Sequence, residues 1–289
     1  MSERVESHFE ASVDEGTVRL RRRWTAMLAT GAVGGIDVGV GVLALLVVEH
    51  QTGSRLLGAL AFTIGFFALT LGNSELFTEN FLVPITAVVA RNAGWGALAR
   101  LWTLTGVANL AGGYLMMAVV MAGLPELGGT ANKVARFYPE LGLGPKAFNL
   151  AILGGVVITL LTWMEVGTAS IMAKLVAAGS ASFVLAAAPL DHAVVVSLEM
   201  FAALRGAAAF GYTDWLEVTT LAAVGNLVGG VGLVTLLRLA QVGRRKVAAE
   251  KAGDRGGAGA GAGLGAGAGG DHPARPGPPE GVTPPGSTR

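Results

Sequence analysis

Two short polar interruptions carry the most chemically distinctive residues of this chain. Residues 74–80 are Ser-Glu-Leu-Phe-Thr-Glu-Asn, and residues 189–192 are Pro-Leu-Asp-His. Histidine exchanges a proton near neutral pH, and a threonine hydroxyl both donates and accepts hydrogen bonds. His192 and Thr78 are therefore candidates for handling a proton or a small polar solute. The plainer interpretations are a histidine satisfied within a helix break, and a threonine, or Ser74 in its place, that caps a helix restart.

The interruptions lie inside apolar stretches, residues 54–91 and 179–205, each long enough to cross a bilayer. The chain is 52% hydrophobic and 14% charged, where soluble domains average roughly 25% charged residues. This composition predicts an all-α integral membrane protein. Charge at membrane depth is costly and usually lines a pathway, and paired broken helices are typical of a transport site.

Six apolar segments are expected, at about 25–49, 54–91 (broken), 98–123, 146–175, 179–205 (broken) and 214–241. They form a predicted channel domain over residues 25–241. Residues 1–24 form a cytosolic arm, which is polar and acidic at its start and has no signal-peptide core. Residues 242–289 form a Gly/Ala/Pro-rich tail that we expect to be disordered and cytosolic. The bias of Lys and Arg among the loops predicts that both termini lie inside.

The two halves resemble each other. Ala-Asn-Leu-Ala-Gly-Gly at residues 108–113 matches Gly-Asn-Leu-Val-Gly-Gly at 225–230, an offset of 117 that also places Glu75 on His192. Chance recurrence in a Gly/Ala/Leu-rich chain is the alternative. Three spans per half require the second half to be inverted, so a 3+3 inverted repeat is predicted. Asn109 and Asn226, among small residues, are expected to form interhelical hydrogen bonds.

These motifs resemble the formate/nitrite transporter family. The resemblance covers residues 25–241 and is based on Leu-Gly-Asn-Ser-Glu-Leu-Phe-Thr at 71–78, on the Asp191-His192 pair and on the two Asn-Leu-x-Gly-Gly motifs. Phe-Thr-Glu-Asn at 77–80 is similar to a divergent branch of the family. The resemblance implies an aquaporin-like protomer, a homopentamer with one pore per protomer, and a prokaryotic cytoplasmic (inner) membrane.

The same resemblance assigns roles to individual residues. His192 would lie at the pore centre opposite Thr78, and Leu76 with Phe77 would form the inner gate. The apolar constrictions on either side of the central site would be formed by Phe62, Phe66 and Leu185. The broken loops would be held by two acidic residues, Glu75 and Asp191.

Two departures from the family pattern affect selectivity. The family's fourth span carries an asparagine eight residues before a tryptophan, where this chain has Gly155 before Trp163. The family's outer-vestibule lysine falls near Glu140, and Lys133 replaces it only with an insertion. Further acidic residues (Asp37, Glu79, Glu165, Glu199) are either paired within the protein or part of a cation-attracting pore.

The expected function is permeation of a small monovalent weak-acid anion, with proton exchange at His192. One alternative is a small cation or ammonium-type weak base, guided by Glu140 and the pore carboxylates. A second is a non-conducting structural or regulatory membrane protein. The chain shows no P-loop, no nucleophile elbow and no metal-ligand spacing, so neither an enzyme, nor a cofactor, nor a metal site, nor a nucleic-acid partner is expected.

Overall fold

The structure is a computed structural model that describes residues 2–206 and 208–243. Almost all of these residues are helical. The expected disordered tail falls outside the described residues, apart from its first two positions. The helices are α1 (Ser2–Arg21), α2 (Trp24–Thr52), α3 (Arg55–Gly72), α4 (Val83–Val89), α5 (Trp95–Gly123), α6 (Gly128–Ala135), α7 (Phe137–Leu141), α8 (Pro145–Val166), α9 (Ile171–Ala187), α10 (Ala193–Arg205), α11 (Tyr212–Leu227) and α12 (Leu236–Val242).

Irregular helical turns complete the chain. Short 3-10 helices occupy Phe77–Phe81 and Pro125–Leu127, and a π-helical stretch, Val228–Thr235, joins α11 to α12. Five helices of the described chain are long and apolar enough to cross a membrane, taking Tyr212–Val242 as one. The expected sixth crossing is divided between α9 and α10, which have 17 and 13 residues. It therefore remains a prediction.

The predicted boundary between the fourth and fifth segments was wrong. The expected fourth segment ran to residue 175, but α8 ends at Val166 and α9 already begins at Ile171. Gly167 caps the end of α8, and the Ser170 side chain accepts a hydrogen bond from Ala173 N at the start of α9. A serine N-cap satisfies an otherwise unpaired backbone donor, so the chain turns here without a long polar loop.

The two halves pack alike. In the first half α2 lies against α3 and α5, and in the second half α8 lies against α9 and α11. Small residues allow close backbone contact: a Cβ on Gly35 would lie 2.1 Å from the carbonyl oxygen of Asn109, and one on Gly155 would lie 2.2 Å from that of Asn226. These approaches fix the helices that carry the two asparagines.

The N-terminal arm is helical and is part of the packed structure. Its helix α1 lies mainly on α4, where a Cβ on Gly16 would lie 2.2 Å from the carbonyl oxygen of Val83. Phe9 and Val13 on the same helix are buried. Helix α1 therefore covers the end of the protein at which the first broken segment returns.

Candidate functional site

The two helix breaks meet at one point. The hydroxyl oxygen of Thr78 lies 2.6 Å from Nε2 of His192, although the residues belong to different halves. Both side chains are completely buried. The structure thus brings together the two residues that the sequence singled out for proton chemistry.

The first break is built from local signals after α3. Gly72 ends the helix, and Asn73 caps it in the left-handed conformation with φ of 51°, which asparagine tolerates better than most residues. The chain then turns through the 3-10 helix Phe77–Phe81, where Glu79 Oε2 accepts a hydrogen bond from Leu76 N at 3.4 Å. Helix α4 restarts with Pro84 in its first turn.

The second break ends at His192, which is itself the N-cap of α10. Its Nδ1 accepts a hydrogen bond from Val195 N at 3.4 Å. An accepting Nδ1 places the proton of the neutral imidazole on Nε2, which then donates to Thr78 Oγ1. The capping interpretation therefore holds through Nδ1, while proton chemistry at Nε2 stays a prediction.

Two asparagines hold the breaks. Asn109 Nδ2 donates to the carbonyls of Gly31 and Glu75 at 2.7 and 2.9 Å, and its Oδ1 accepts from Phe77 N at 2.7 Å. Asn226 is the corresponding residue of the second half. Its Nδ2 donates to Ala151 O and Asp191 O at 2.7 and 2.9 Å, and its Oδ1 accepts from Ala193 N at 2.9 Å. The expected interhelical hydrogen bonding is present at both.

The apolar candidates separate into two groups. Phe62, Phe66, Leu76 and Leu185 belong to one buried cluster, in which the two phenylalanine rings lie 5.7 Å apart. Phe77 is not part of this cluster and packs against other aromatic rings.

The Phe77 ring is only partly buried and packs edge-to-face against Phe81 at 4.9 Å and Trp102 at 6.4 Å. Leu76 belongs to the apolar cluster and Phe77 to this aromatic group, and their role as the inner gate stays a prediction.

Glu75 does not pair with Asp191. Its carboxylate instead contacts Arg22 at 2.5 Å and Arg19 at 3.2 Å, both from the N-terminal arm. The Asp191 carboxylate is 2% exposed, and its Oδ1 has no hydrogen-bond partner among the described residues. The two acidic residues therefore occupy equivalent places in the repeat but have different partners.

Glu15 on α1 extends this cluster, with Oε1 2.8 Å from Arg19 Nε. Burial acts to raise the pKa of Glu15, but the positive charges of Arg19, Arg22 and Lys174 together outweigh it, and the net pKa lies below the usual value. Glu15 is therefore held ionised beside the two arginines.

The two vestibule candidates are both paired and lie apart. Lys133 Nζ is 3.2 Å from Glu49 Oε1, and Glu140 is an exposed residue of α7 whose Oε1 is 3.8 Å from Arg136 Nε.

Sequence reasoning missed Arg55, which lies between the buried carboxylates of Glu49, at 3.6 Å, and Glu199, at 3.8 Å. Its position one residue after the N-cap Ser54 was the available signal.

The packing of Gly155 accounts for the absence of the family's asparagine at this position. Its α-carbon faces the backbone of Asn226, where a Cβ would lie 2.2 Å from the carbonyl oxygen and 2.5 Å from the α-carbon. An asparagine side chain has no space at this position. The close approach of α8 and α11 thus leaves no room for the asparagine that the family carries at this position.

The sequence profile described as formate/nitrite transporter matches residues 6–240. The chain belongs to the formate/nitrite transporter family. A family of transporters and channels excludes the enzyme class for this protein, in agreement with the expectation from sequence. Among known proteins, the formate/nitrite transporter relative "Inner membrane protein YfdC" of Escherichia coli (strain K12) is 26% identical over 269 residues, covering 83% of this chain and 81% of that protein.

Two solved structures share the fold of this formate/nitrite transporter family member. An "FNT family ion channel" aligns with a TM-score of 0.71 at 18% identity, covering 79% of this chain and 96% of that one. A "Pentameric formate channel with formate bound" aligns with a TM-score of 0.64 at 20% identity, covering 75% and 96%. These similarities confirm the predicted all-α membrane fold with its aquaporin-like protomer.

Proposed function

We infer that this protein is a membrane channel for small monovalent weak-acid anions, with the solute passing the Thr78–His192 contact. The observation that carries the proposal is the 2.6 Å approach of Thr78 Oγ1 to His192 Nε2 where the two breaks meet. An Nε2–H donor in a completely buried position can hydrogen-bond the oxygen of a carboxylate or nitrite in place of the threonine hydroxyl.

Proton exchange at His192 would let the solute cross as the neutral acid. The anion takes the Nε2 proton and becomes the neutral acid, and a vestibule water returns a proton to Nε2 in the same relay. The imidazole ends neutral, and the negative charge stays in the vestibule as hydroxide. The buried cluster of Phe62, Phe66, Leu76 and Leu185 supports this scheme because an apolar constriction passes a neutral molecule more readily than a hydrated ion.

The assembly and placement follow the relatives. A homopentamer in a cytoplasmic (inner) membrane accords with the pentameric formate channel and with the inner-membrane relative. The placement of both termini inside is based on the bias of Lys and Arg among the loops. Exposed apolar residues along α3 (Leu56, Leu60, Ile64 and Leu71) suit contact with lipid or with a neighbouring protomer.

The test is solute flux into proteoliposomes under an imposed pH gradient. Formate and nitrite are compared with methylammonium, in the wild type, in His192→Ala and in Thr78→Val, with His50→Ala as the control because His50 is an exposed histidine near the end of α2. Anion uptake driven by an acidic exterior, lost in the two pathway variants and kept in the control, is the expected result.

Two other outcomes would replace this proposal. Methylammonium flux with anions excluded would favour a weak-base channel. The absence of flux for every solute, from protein shown to be pentameric, would favour the structural or regulatory alternative.

A further inference from the structure

A cavity of about 430 Å³ lies beside the first break, between α1 and the ends of α3 and α8. Its wall carries four carboxylates and three basic side chains; the carboxylates are Glu15, Glu75, Glu79 and Glu165, and the basic groups are Arg19, Arg22 and Lys174. With all four carboxylates ionised, the wall would carry one negative charge in excess.

The arginines are already committed to two of these carboxylates. Arg19 lies between Glu15 and Glu75, at 2.8 and 3.2 Å, and Arg22 contacts Glu75. Arg19 also donates to Asn80 Oδ1 at 3.3 Å. Glu79 and Glu165 are left without an ion pair within 4 Å in the part of the chain that the structure describes.

Glu79 is the unusual member of the cavity wall. It is 4% exposed, its Oε2 accepts only a long bond from Leu76 N, and its Oε1 is buried with no hydrogen-bond partner among the described residues. A buried carboxylate oxygen without a partner is costly, and a proton or a ligand that contacts it relieves that cost.

Two neutral hydroxyls line the same cavity. Thr70 Oγ1 donates to Glu165 Oε1 at 2.9 Å, and Thr162 Oγ1 donates to Ile158 O at 3.0 Å, so both hydroxyls keep their lone pairs for another partner.

We propose that this cavity binds one small monovalent cation, an alkali metal ion or ammonium, at Glu79 and Glu165. With its four carboxylates ionised, the wall has one negative charge in excess, which one monovalent ion offsets. The described residues contain no cluster of three His, Asp, Glu or Cys side chains within reach of a single metal. A water occupies about 30 Å³ of liquid, so the cavity also has room for part of the ion's hydration shell.

The site adjoins the proposed pathway because Glu79 directly follows Thr78. Resting on the proposed function, a cation here would offset the acidic wall where anions reach the inner side of the Thr78–His192 contact. Binding itself does not depend on which solute permeates.

The test is equilibrium binding of ²²Na⁺ and of labelled methylammonium to the purified full-length protein, with excess choline present to screen nonspecific attraction. The wild type should show saturable binding of one ion per protomer. Glu79→Gln should abolish it, whereas Glu126→Gln, at an exposed glutamate of the 3-10 helix Pro125–Leu127, should leave it unchanged.

Each outcome decides the proposal. Saturable binding of sodium alone, or of methylammonium alone, supports the site and tells which cation it takes. Non-saturable binding of both, or binding kept in Glu79→Gln, overturns it. Where Glu79→Gln does not assemble, Glu165→Gln decides in the same way. The measurement involves no flux, so its failure leaves the anion-channel proposal standing.

Discussion

Asn109 and Asn226 hold the two helix breaks with the same set of hydrogen bonds, one in each half of the repeat. Each amide group donates to one carbonyl of a neighbouring helix and to one carbonyl of a break, and each side-chain oxygen accepts from a backbone N–H two residues after that carbonyl. The breaks are therefore held by side chains of unbroken helices. This arrangement satisfies backbone groups that would otherwise be unpaired in an apolar environment.

Replacing either asparagine should destabilise the protein. Asn226→Ala leaves Ala151 O, Asp191 O and Ala193 N without this partner, and each buried group left unsatisfied costs about 1–3 kcal/mol. We expect a clear fall in the melting temperature of the detergent-purified protein, and a similar fall for Asn109→Ala. Asn149→Ala, at an exposed position of α8, is the matched control. Equal melting temperatures for Asn226→Ala and Asn149→Ala would contradict this role.

The repeat could be predicted from the sequence, but its register could not. The motif offset that relates Asn109 to Asn226 makes His192 the equivalent of Glu75. The hydrogen bonds instead make Asp191, one residue earlier, the equivalent of Glu75, because the carbonyls of these two residues accept from the two asparagines. The two connections between break and asparagine thus differ in length by one residue. Because the breaks are irregular backbone, no periodicity fixes that difference, and only the hydrogen-bond partners reveal it.

His192 has two separable roles that two substitutions distinguish. His192→Asn keeps an N-cap acceptor for Val195 N, and His192→Ala removes it, at a cost of about 0.5–2 kcal/mol. Both variants lose the Nε2 contact with Thr78. We expect the asparagine variant to melt closer to the wild type than the alanine variant, while pH-driven anion flux is lost in both. The measurements are thermal melting and proteoliposome flux on the same preparations.

Two results would contradict this division of roles. Identical melting temperatures for the two variants would show that the cap contributes little. Retained pH-driven flux in His192→Asn, from a protein of wild-type stability, would remove the imidazole from the proton pathway.

Helix α1 should lose stability in acid, because Glu15 and Arg19 form an ion pair one helical turn apart. Burial acts to raise the pKa of Glu15, but the positive charges of Arg19, Arg22 and Lys174 together outweigh it, so the folded pKa lies below the usual value. A depressed carboxylate pKa contributes stability above the unfolded pKa, and the contribution is lost as pH falls through the folded value. The Glu15 side chain is 40% exposed, so the pair contributes only about 0.2–1 kcal/mol.

A single spin label can report the order of α1 because the chain has no cysteine. With the label on Asp14→Cys, an exposed position of α1, label mobility should rise as pH falls through the lowered pKa of Glu15. Adding Glu15→Gln should raise mobility already at pH 7 and reduce the further change in acid. Glu126→Gln, at an exposed position of the 3-10 helix Pro125–Leu127, is the control. An acid response that is the same with and without Glu15→Gln would assign it to other groups.

The candidate site divides in the same way between what sequence predicts and what it does not. His192 and Thr78 could be predicted because proton-active residues inside apolar spans are rare and costly. The pairing of Glu75 with Arg19 and Arg22, and the place of Arg55 between Glu49 and Glu199, depend on long-range packing. Charged side chains reach several ångströms from the backbone, so one sequence does not specify which of them meet.

The close contact of Gly155 with Asn226 should exclude any larger residue at this position, including the asparagine of the family pattern. Gly155→Ala places a methyl group 2.2 Å from the carbonyl oxygen of Asn226, which must move α8 away from α11 and disturb the bonds that hold the second break. We expect a loss of about 1–3 kcal/mol, typical of overpacking, and a greater loss for Gly155→Asn. Gly232→Ala is the matched control, since its Cβ meets nothing within 4 Å among the described residues. Thermal melting checks both, and a stable Gly155→Asn variant would show that the helices can separate to admit the family's side chain.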